Sequence, residues 1–202
     1  MSTAVDAATP YDRDFFAMHL PWRADYDFLA DALMRAVAFD SVLDLGCGTA
    51  FLLARFAAHG KRVAGVEASD HAREFVPAEV RDAVVPGDLT TPLDLARHDL
   101  VVCAEVAEHL PASRADHLVE TICRAAGRWI FFTAAVPGQG GFGHINEQPH
   151  AYWIERFEPY GARLDPARTQ ALRAELLPAL QVTWWFARNA MLFRRDPPVR
   201  AA

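Results

Sequence analysis

Short apolar runs alternate with amphipathic stretches along most of this chain. Residues 41–45, 62–66, 80–85, 99–103 and 128–135 are dominated by β-branched and other apolar residues, the pattern of strands buried on both faces. Between them, residues 50–59, 70–75 and 112–125 carry apolar side chains at helical spacing. Strands joined by helices in this rhythm predict βαβ units, hence a parallel sheet with helices on both faces and right-handed crossovers. Ahead of the first strand, Phe15, Phe16, Leu20, Tyr26, Phe28, Leu29, Leu33 and Val37 recur at helical intervals. Residues 11–39 therefore read as helix, broken at Pro21.

The rhythm changes after the fifth strand. Residues 137–143 hold four glycines and a proline and read as a loop. Residues 149–160 return to helix, another short element begins at Leu164, residues 166–177 read as helix, and residues 181–193 read as a final strand. With no internal repeat and no low-complexity linker, 202 residues at 52% hydrophobic content fit one domain, expected over residues 11–195. Residues 1–10 are expected to be a disordered leader, and 196–202 a flexible tail.

Charge and cysteine content narrow the class. A net charge of −6 and the lack of any Lys/Arg cluster argue against a phosphate-tracking nucleic-acid binder. The first residues lack the basic and apolar regions of a secretory signal, and the longest apolar run, 129–136, is far short of a membrane span. Cys47, Cys103 and Cys123 form neither a CxxC pair nor a disulfide framework, which suits reduced thiols in a cytoplasmic protein.

The stretch Val-Leu-Asp-Leu-Gly-Cys-Gly-Thr, residues 42–49, carries the chemistry: an apolar strand, an acid, a Gly-x-Gly turn and then a helix. Glycines there let the backbone turn tightly and approach a ligand, and the helix start aims unpaired N–H groups at the same point. Phe51 stands where a dinucleotide fingerprint needs its third glycine, which turns the reading from NAD to a nucleoside ligand lacking pyrophosphate. Ligands of a doubly wound sheet bind outside the carboxyl ends of its strands, and successive strands here end in Asp44, Glu67, Asp88 and Glu105. Glu67 can accept from two ribose hydroxyls, and Asp88 with the Leu89 amide can meet adenine. Asp44 beside the turn can hold an ammonium group.

In order and spacing, residues 42–49, Gly-Val-Glu-Ala-Ser (65–69), Gly-Asp-Leu (87–89) and Asp-Leu-Val-Val-Cys-Ala-Glu-Val-Ala-Glu-His-Leu (99–110) resemble a class I S-adenosylmethionine-dependent methyltransferase. The resemblance covers roughly residues 11–195. It implies a Rossmann-like α/β fold: a doubly wound, mostly parallel sheet with an antiparallel final strand and an N-terminal helical segment. It also implies S-adenosylmethionine as cofactor and S-adenosylhomocysteine as product. Asp44, Gly46, Cys47 and Gly48 would flank the methionine part, Glu67 and Ala68 the ribose, and Asp88 and Leu89 the adenine, with Glu105 and Val106 completing the pocket. The expected activity is methyl transfer to a small-molecule acceptor, in specialised metabolism, through in-line positioning and exclusion of water. The alternatives are a non-catalytic cofactor-binding subunit or regulator, and a methyltransferase for a protein or sugar-linked substrate. No nucleic-acid or membrane partner is expected.

The segment 143–153 resembles one that lies over the acceptor side in some bacterial methyltransferases, which makes His144, Asn146, Tyr152 and Trp153, together with Tyr11, candidate acceptor contacts. Its glycines suit a closing lid, although His144 and Glu147 could instead simply bond the loop to the body. His109 could take a proton from the acceptor or support loop structure, and His144 is a second catalytic candidate. No metal is expected, because His144, Glu147 and His150 do not share a helix face and Pro149 interrupts them.

Overall fold

The computed structural model describes residues 11–195, so the expected leader and tail lie outside the described residues. The first strand, β1 (Ser41–Leu45), is buried along its whole length, and its side chains divide by parity. Val42 enters one apolar cluster, while Leu43 and Leu45 enter another. The same split recurs on β4 (His98–Ala104) and β5 (Ala126–Thr133). Leu100, Val102, Trp129 and Phe131 join the first cluster, and Val101, Cys103, Ile130 and Phe132 the second. Strands with two apolar faces need a layer of helices on each. The first layer contains α2 (Arg23–Ala36), α3 (Phe51–Ala58), α7 (Pro166–Leu176) and α8 (Trp184–Asn189). The second contains α5 (Ala115–Ala125) and α6 (His150–Phe157).

With β2 (Arg62–Glu67), β3 (Val84–Pro86), β6 (Ala162–Leu164) and β7 (Met191–Arg195), the sheet runs in the order β3-β2-β1-β4-β5-β7-β6. The first five strands are parallel, and β7 runs antiparallel to both β5 and β6. This is the expected Rossmann-like sheet, and the strand order reverses where β1 meets β4. Short helices α1 (Arg13–Ala17) and α4 (Asp70–Arg73) lie against each other beside β2. As expected, the N-terminal helical stretch is interrupted at Pro21, which sits in a 3-10 turn over Leu20–Trp22.

Three elements depart from the sequence reading. The third strand is shorter than 80–85, because Ala78–Ala83 winds into a 3-10 segment after Pro77 and buries Val80. The short element expected to begin at Leu164 ends there as β6, and Asp165 then caps α7 by accepting from the Arg168 amide. The long final strand is limited to residues 191–195. The chain before it turns through the carboxylate of Asp25, which accepts from the amides of Gln181, Val182 and Thr183 at 3.2, 2.8 and 2.8 Å and from the Thr183 hydroxyl at 3.0 Å. That anchor, buried on α2, starts α8 where periodicity alone reads strand.

Candidate active site

The turn after β1 is laced to the end of β2. The Gly46 and Cys47 amides both donate to the Val66 carbonyl, at 2.8 and 3.1 Å. One oxygen of Glu67 accepts from the Gly48 amide and the other from the Ser69 amide, each at 2.8 Å. Gly46 has φ +75°, and a Cβ built on it would lie 2.6 Å from Val106 Cγ2. The backbone can take this path only without a side chain. Ala50, left-handed at φ 55°, then leads into α3.

A cavity of about 530 Å³ opens at this rim, within the size range of small-molecule sites. All ten residues expected to hold the cofactor line it: Asp44, Gly46, Cys47, Gly48, Glu67, Ala68, Asp88, Leu89, Glu105 and Val106. Their settings differ. Asp88 is exposed, and Thr90 donates to one of its oxygens through both amide and hydroxyl, which keeps the group ionised below the usual carboxylate range. Asp44 is only 3% exposed, and burial, with the charge of Glu67 next, pushes it up to about 8. Glu105 holds a left-handed backbone, φ 54°, with its amide shared between the Thr133 carbonyl and hydroxyl. Such an outlier persists only where its surroundings over-determine it. Its carboxylate accepts from Asn189 Nδ2 at 3.1 Å and Gln139 Nε2 at 3.4 Å, joining α8 to the glycine loop.

Asp44 makes binding here pH-dependent. A ligand that presents a positive group to it favours the carboxylate, and at pH 7 the buried acid is mostly protonated. Binding is therefore expected to release a proton at pH 7, and affinity to rise with pH until about 8 and then level. Calorimetry in two buffers of different ionisation enthalpy checks this, and no buffer dependence would show that the positive group lies elsewhere.

The remaining wall is made largely of rings that the sequence reading did not assign to the site. Phe15, His19 and Trp22 come from α1 and the turn that follows, and Trp184 and Trp185 from α8. His19 stacks on Trp22 at 4.5 Å, and Trp22 meets Trp185 edge-on at 5.6 Å. Burial keeps His19 neutral, down to about 4. Spacing around positions 15, 19 and 22 was the available signal, but a helical stripe of this kind reads equally as core.

Of the acceptor candidates, the structure brings Tyr11 and His144 to the cavity beside His109. The Tyr11 hydroxyl lies 2.8 Å from His109 Nδ1, and the Gly143 carbonyl 3.3 Å from the same nitrogen. Burial holds His109 unprotonated down to about 4. Glu147 staples the glycine loop, accepting from the Gly138 and Gly140 amides at 2.8 Å each, and His144 Nδ1 is 3.0 Å from it. A Cβ on Gly143 would run into the Tyr11 hydroxyl, and one on Gly141 into the His144 ring. Asn146, Tyr152 and Trp153 do not line the cavity. Asn146 is buried within its loop, donating to the Ala107 carbonyl at 3.4 Å and accepting from Gln148. Trp153 is fully buried against Phe132, and Tyr152 lies beneath the Arg156 guanidinium. The helical period of 150–157 turns those rings into the second core cluster.

Glu108, His109 and His144 bring one donor atom each within 4.8 Å of one another. Bonds of the loop already account for one nitrogen of each histidine, and Glu108 accepts from the Ala135 amide at 3.2 Å. Burial, then the charge of Glu105, pushes Glu108 up to about 9, so it is a neutral acid at pH 7. His150 pairs with Arg173 instead of joining His144 and Glu147.

Residues 43–128 match the family model described as a methyltransferase domain. A ubiquinone biosynthesis O-methyltransferase of Nitrosomonas europaea is 26% identical over 141 residues, which are 65% of this chain and 54% of that protein. The chain thus spans about half the length of this curated relative. A sugar N-methyltransferase from Streptoalloteichus superposes with a TM-score of 0.70 at 14% identity, covering 98% of each chain. A TehB-like S-adenosylmethionine-dependent methyltransferase from Corynebacterium glutamicum gives 0.61 at 19% identity, covering 84% of this chain and 88% of that one. These two structures share the fold of this chain, whose sheet runs in the order β3-β2-β1-β4-β5-β7-β6. The similarity to methyltransferases rests on residues 43–128 and on the match to the O-methyltransferase relative.

Proposed function

We propose that this protein binds S-adenosylmethionine at the ends of β1, β2, β3 and β4 and transfers its methyl group to a small-molecule acceptor held among the rings. The observation that carries this reading is the glycine turn bonded to Glu67 beside the cavity, with buried Asp44 next to it. The donor set fits the cofactor: a turn that tolerates no Cβ at Gly46, a carboxylate bonded to that turn at Gly48, and an acid ready to ionise against a cation. Bound there, S-adenosylmethionine supplies an activated methyl group. Glu67 would accept from the ribose hydroxyls, Asp88 and the Leu89 amide would meet the adenine, and Asp44 the ammonium. The aromatic wall excludes water, and the glycine loop, closed by Glu147, covers the acceptor side. The O-methyltransferase relative accords with a small-molecule acceptor. Among the described residues, no helix is long and apolar enough to cross a membrane.

Titration calorimetry with S-adenosylmethionine, S-adenosylhomocysteine and NAD tests the reading, and NAD binding without the other two would overturn it. Glu67→Ala is expected to weaken S-adenosylmethionine by about 1.5–3 kcal/mol, the range for hydrogen bonds to a charged group. An unchanged affinity would place the ribose elsewhere. Incubation with labelled cofactor and a metabolite extract, followed by a search for labelled product, separates transfer from a purely binding role.

A further inference from the structure

Where the turn after β4 meets the glycine loop, three side chains able to hold a metal ion converge. Ala107–His109 wind into a 3-10 turn, and the Ile145 and Asn146 amides donate to the Glu108 carbonyl at 2.9 and 3.0 Å. The loop is thus stitched to that turn by its backbone, which fixes the side chains of both against each other. One donor atom from each of Glu108, His109 and His144 lies within 4.8 Å of the others. Donors that share one ion at about 2.1 Å lie no more than about 4.2 Å apart, so the three need draw in only slightly.

The surroundings of Glu108 point to a cation. The residue is fully buried, and one of its oxygens accepts from the Ala135 amide at 3.2 Å. The other, Oε2, is buried with no hydrogen-bond partner. A polar atom left in that state costs stability unless something pairs with it. The charged neighbour of Glu108 is Glu105, a second acid, and among the described residues no lysine or arginine lines the cavity beside them. Each imidazole, in turn, has a partner of the kind that holds metal-binding histidines in place, a carboxylate or a backbone carbonyl. Glu147 lies 3.0 Å from His144 Nδ1, and the Gly143 carbonyl 3.3 Å from His109 Nδ1. Both histidines line the cavity.

We propose that Glu108, His109 and His144 form a site for a single divalent transition-metal ion in the wall of the cavity. Two imidazoles and a carboxylate suit manganese, iron, cobalt or zinc better than magnesium or calcium, which favour all-oxygen shells. Three protein ligands leave coordination positions open, and an oxygen or nitrogen of a molecule in the cavity would complete them. The ion also ties the glycine loop, through His144, to the end of β4. The site stands apart from the methyltransferase reading, since none of its three ligands belongs to the set assigned to S-adenosylmethionine.

The test is titration of the chelator-treated full chain with Co2+, whose visible absorption bands report its nitrogen and oxygen ligands. The expected result is saturation at a single ion per chain, with displacement by Zn2+ but not by an excess of Mg2+. Glu108→Gln and His144→Ala are each expected to weaken Co2+ by more than about tenfold. Glu147→Gln keeps an oxygen for the loop amides but loosens the hold on His144, and should weaken Co2+ by about tenfold. His150→Ala, which lies outside the cluster, should bind as wild type does. The proposal is overturned if the wild type shows no Co2+ bands, or if affinity is unaltered in Glu108→Gln or His144→Ala. An equal loss in His150→Ala, or Mg2+ competing as well as Zn2+, overturns it too. Far-UV circular dichroism checks that each variant is folded, and if Glu108→Gln is not, the variants at positions 144 and 147 decide. S-adenosylhomocysteine titrated into the metal-free protein tests the methyltransferase reading separately, so either can fail while the other stands.

Discussion

Gly46→Val is expected to abolish S-adenosylmethionine binding, lowering affinity by at least a hundredfold, in a protein that still folds. Gly46 holds φ +75°, a region that costs a β-branched residue about 1–3 kcal/mol. Its new Cβ would also fall 2.6 Å from Val106 Cγ2, so either Val106 or the turn must move. Both form the cavity wall, and moving the turn breaks the bonds from the Gly46 and Cys47 amides to Val66. The core strands lie below the turn and keep their pairing. Gly60 provides the control, with φ +73° and nothing within 4 Å of where a Cβ would stand. Gly60→Ala carries backbone strain without obstruction and should bind normally. Calorimetry with far-UV circular dichroism separates the outcomes: binding retained in Gly46→Val, or a collapsed fold, would show that the turn is not a ligand cradle.

Asp25→Ala is expected to lower stability by about 3–5 kcal/mol, roughly 10 °C in Tm for a domain of this size. The substitution leaves the Gln181, Val182 and Thr183 amides and the Thr183 hydroxyl without their acceptor. A buried donor without a partner costs about 1–3 kcal/mol. Burial works to raise the Asp25 pKa, but the bonds from residues 181–183 outweigh it and hold the group below the usual carboxylate range. A depressed folded pKa means that the stabilisation is present at neutral pH and is lost as pH falls through the folded value. The gap in Tm between wild type and variant should therefore narrow in acid. A loss below about 1 kcal/mol at pH 7 would make the anchor dispensable.

The two positions differ in how far the sequence shows them. Gly46 is legible because its constraint is local: strand, turn and helix follow one another, and periodicity finds both flanks. The same holds for Glu67, Asp88 and Glu105, each at the end of a strand that alternation locates. Asp25 is not legible, since its partners lie 156 to 158 residues away and nothing nearby marks it except an acid on an apolar helix. That distance is also why residues 181–193 read as strand, because the cap that starts α8 is tertiary. Trp153 and Trp184 show the same limit. An aromatic in a helix looks alike whether it faces the second core cluster, as Trp153 does, or a cavity, as Trp184 does.

Most of the rings over the cavity come from the two ends of the described chain, residues 11–26 and 184–186, with Phe142, His109 and His144 added from the middle, where the glycine turn and its acids also lie. The two ends are held together by side-chain contacts such as Trp22 with Trp185 and by the Asp25 anchor. During synthesis the cofactor cradle can therefore form well before the roof is complete, because the last rings leave the ribosome after β6. Over evolutionary time the same layout would make selectivity modular under the proposed function: exchanging the end segments would change the roof without disturbing the strand ends proposed to bind the methyl donor.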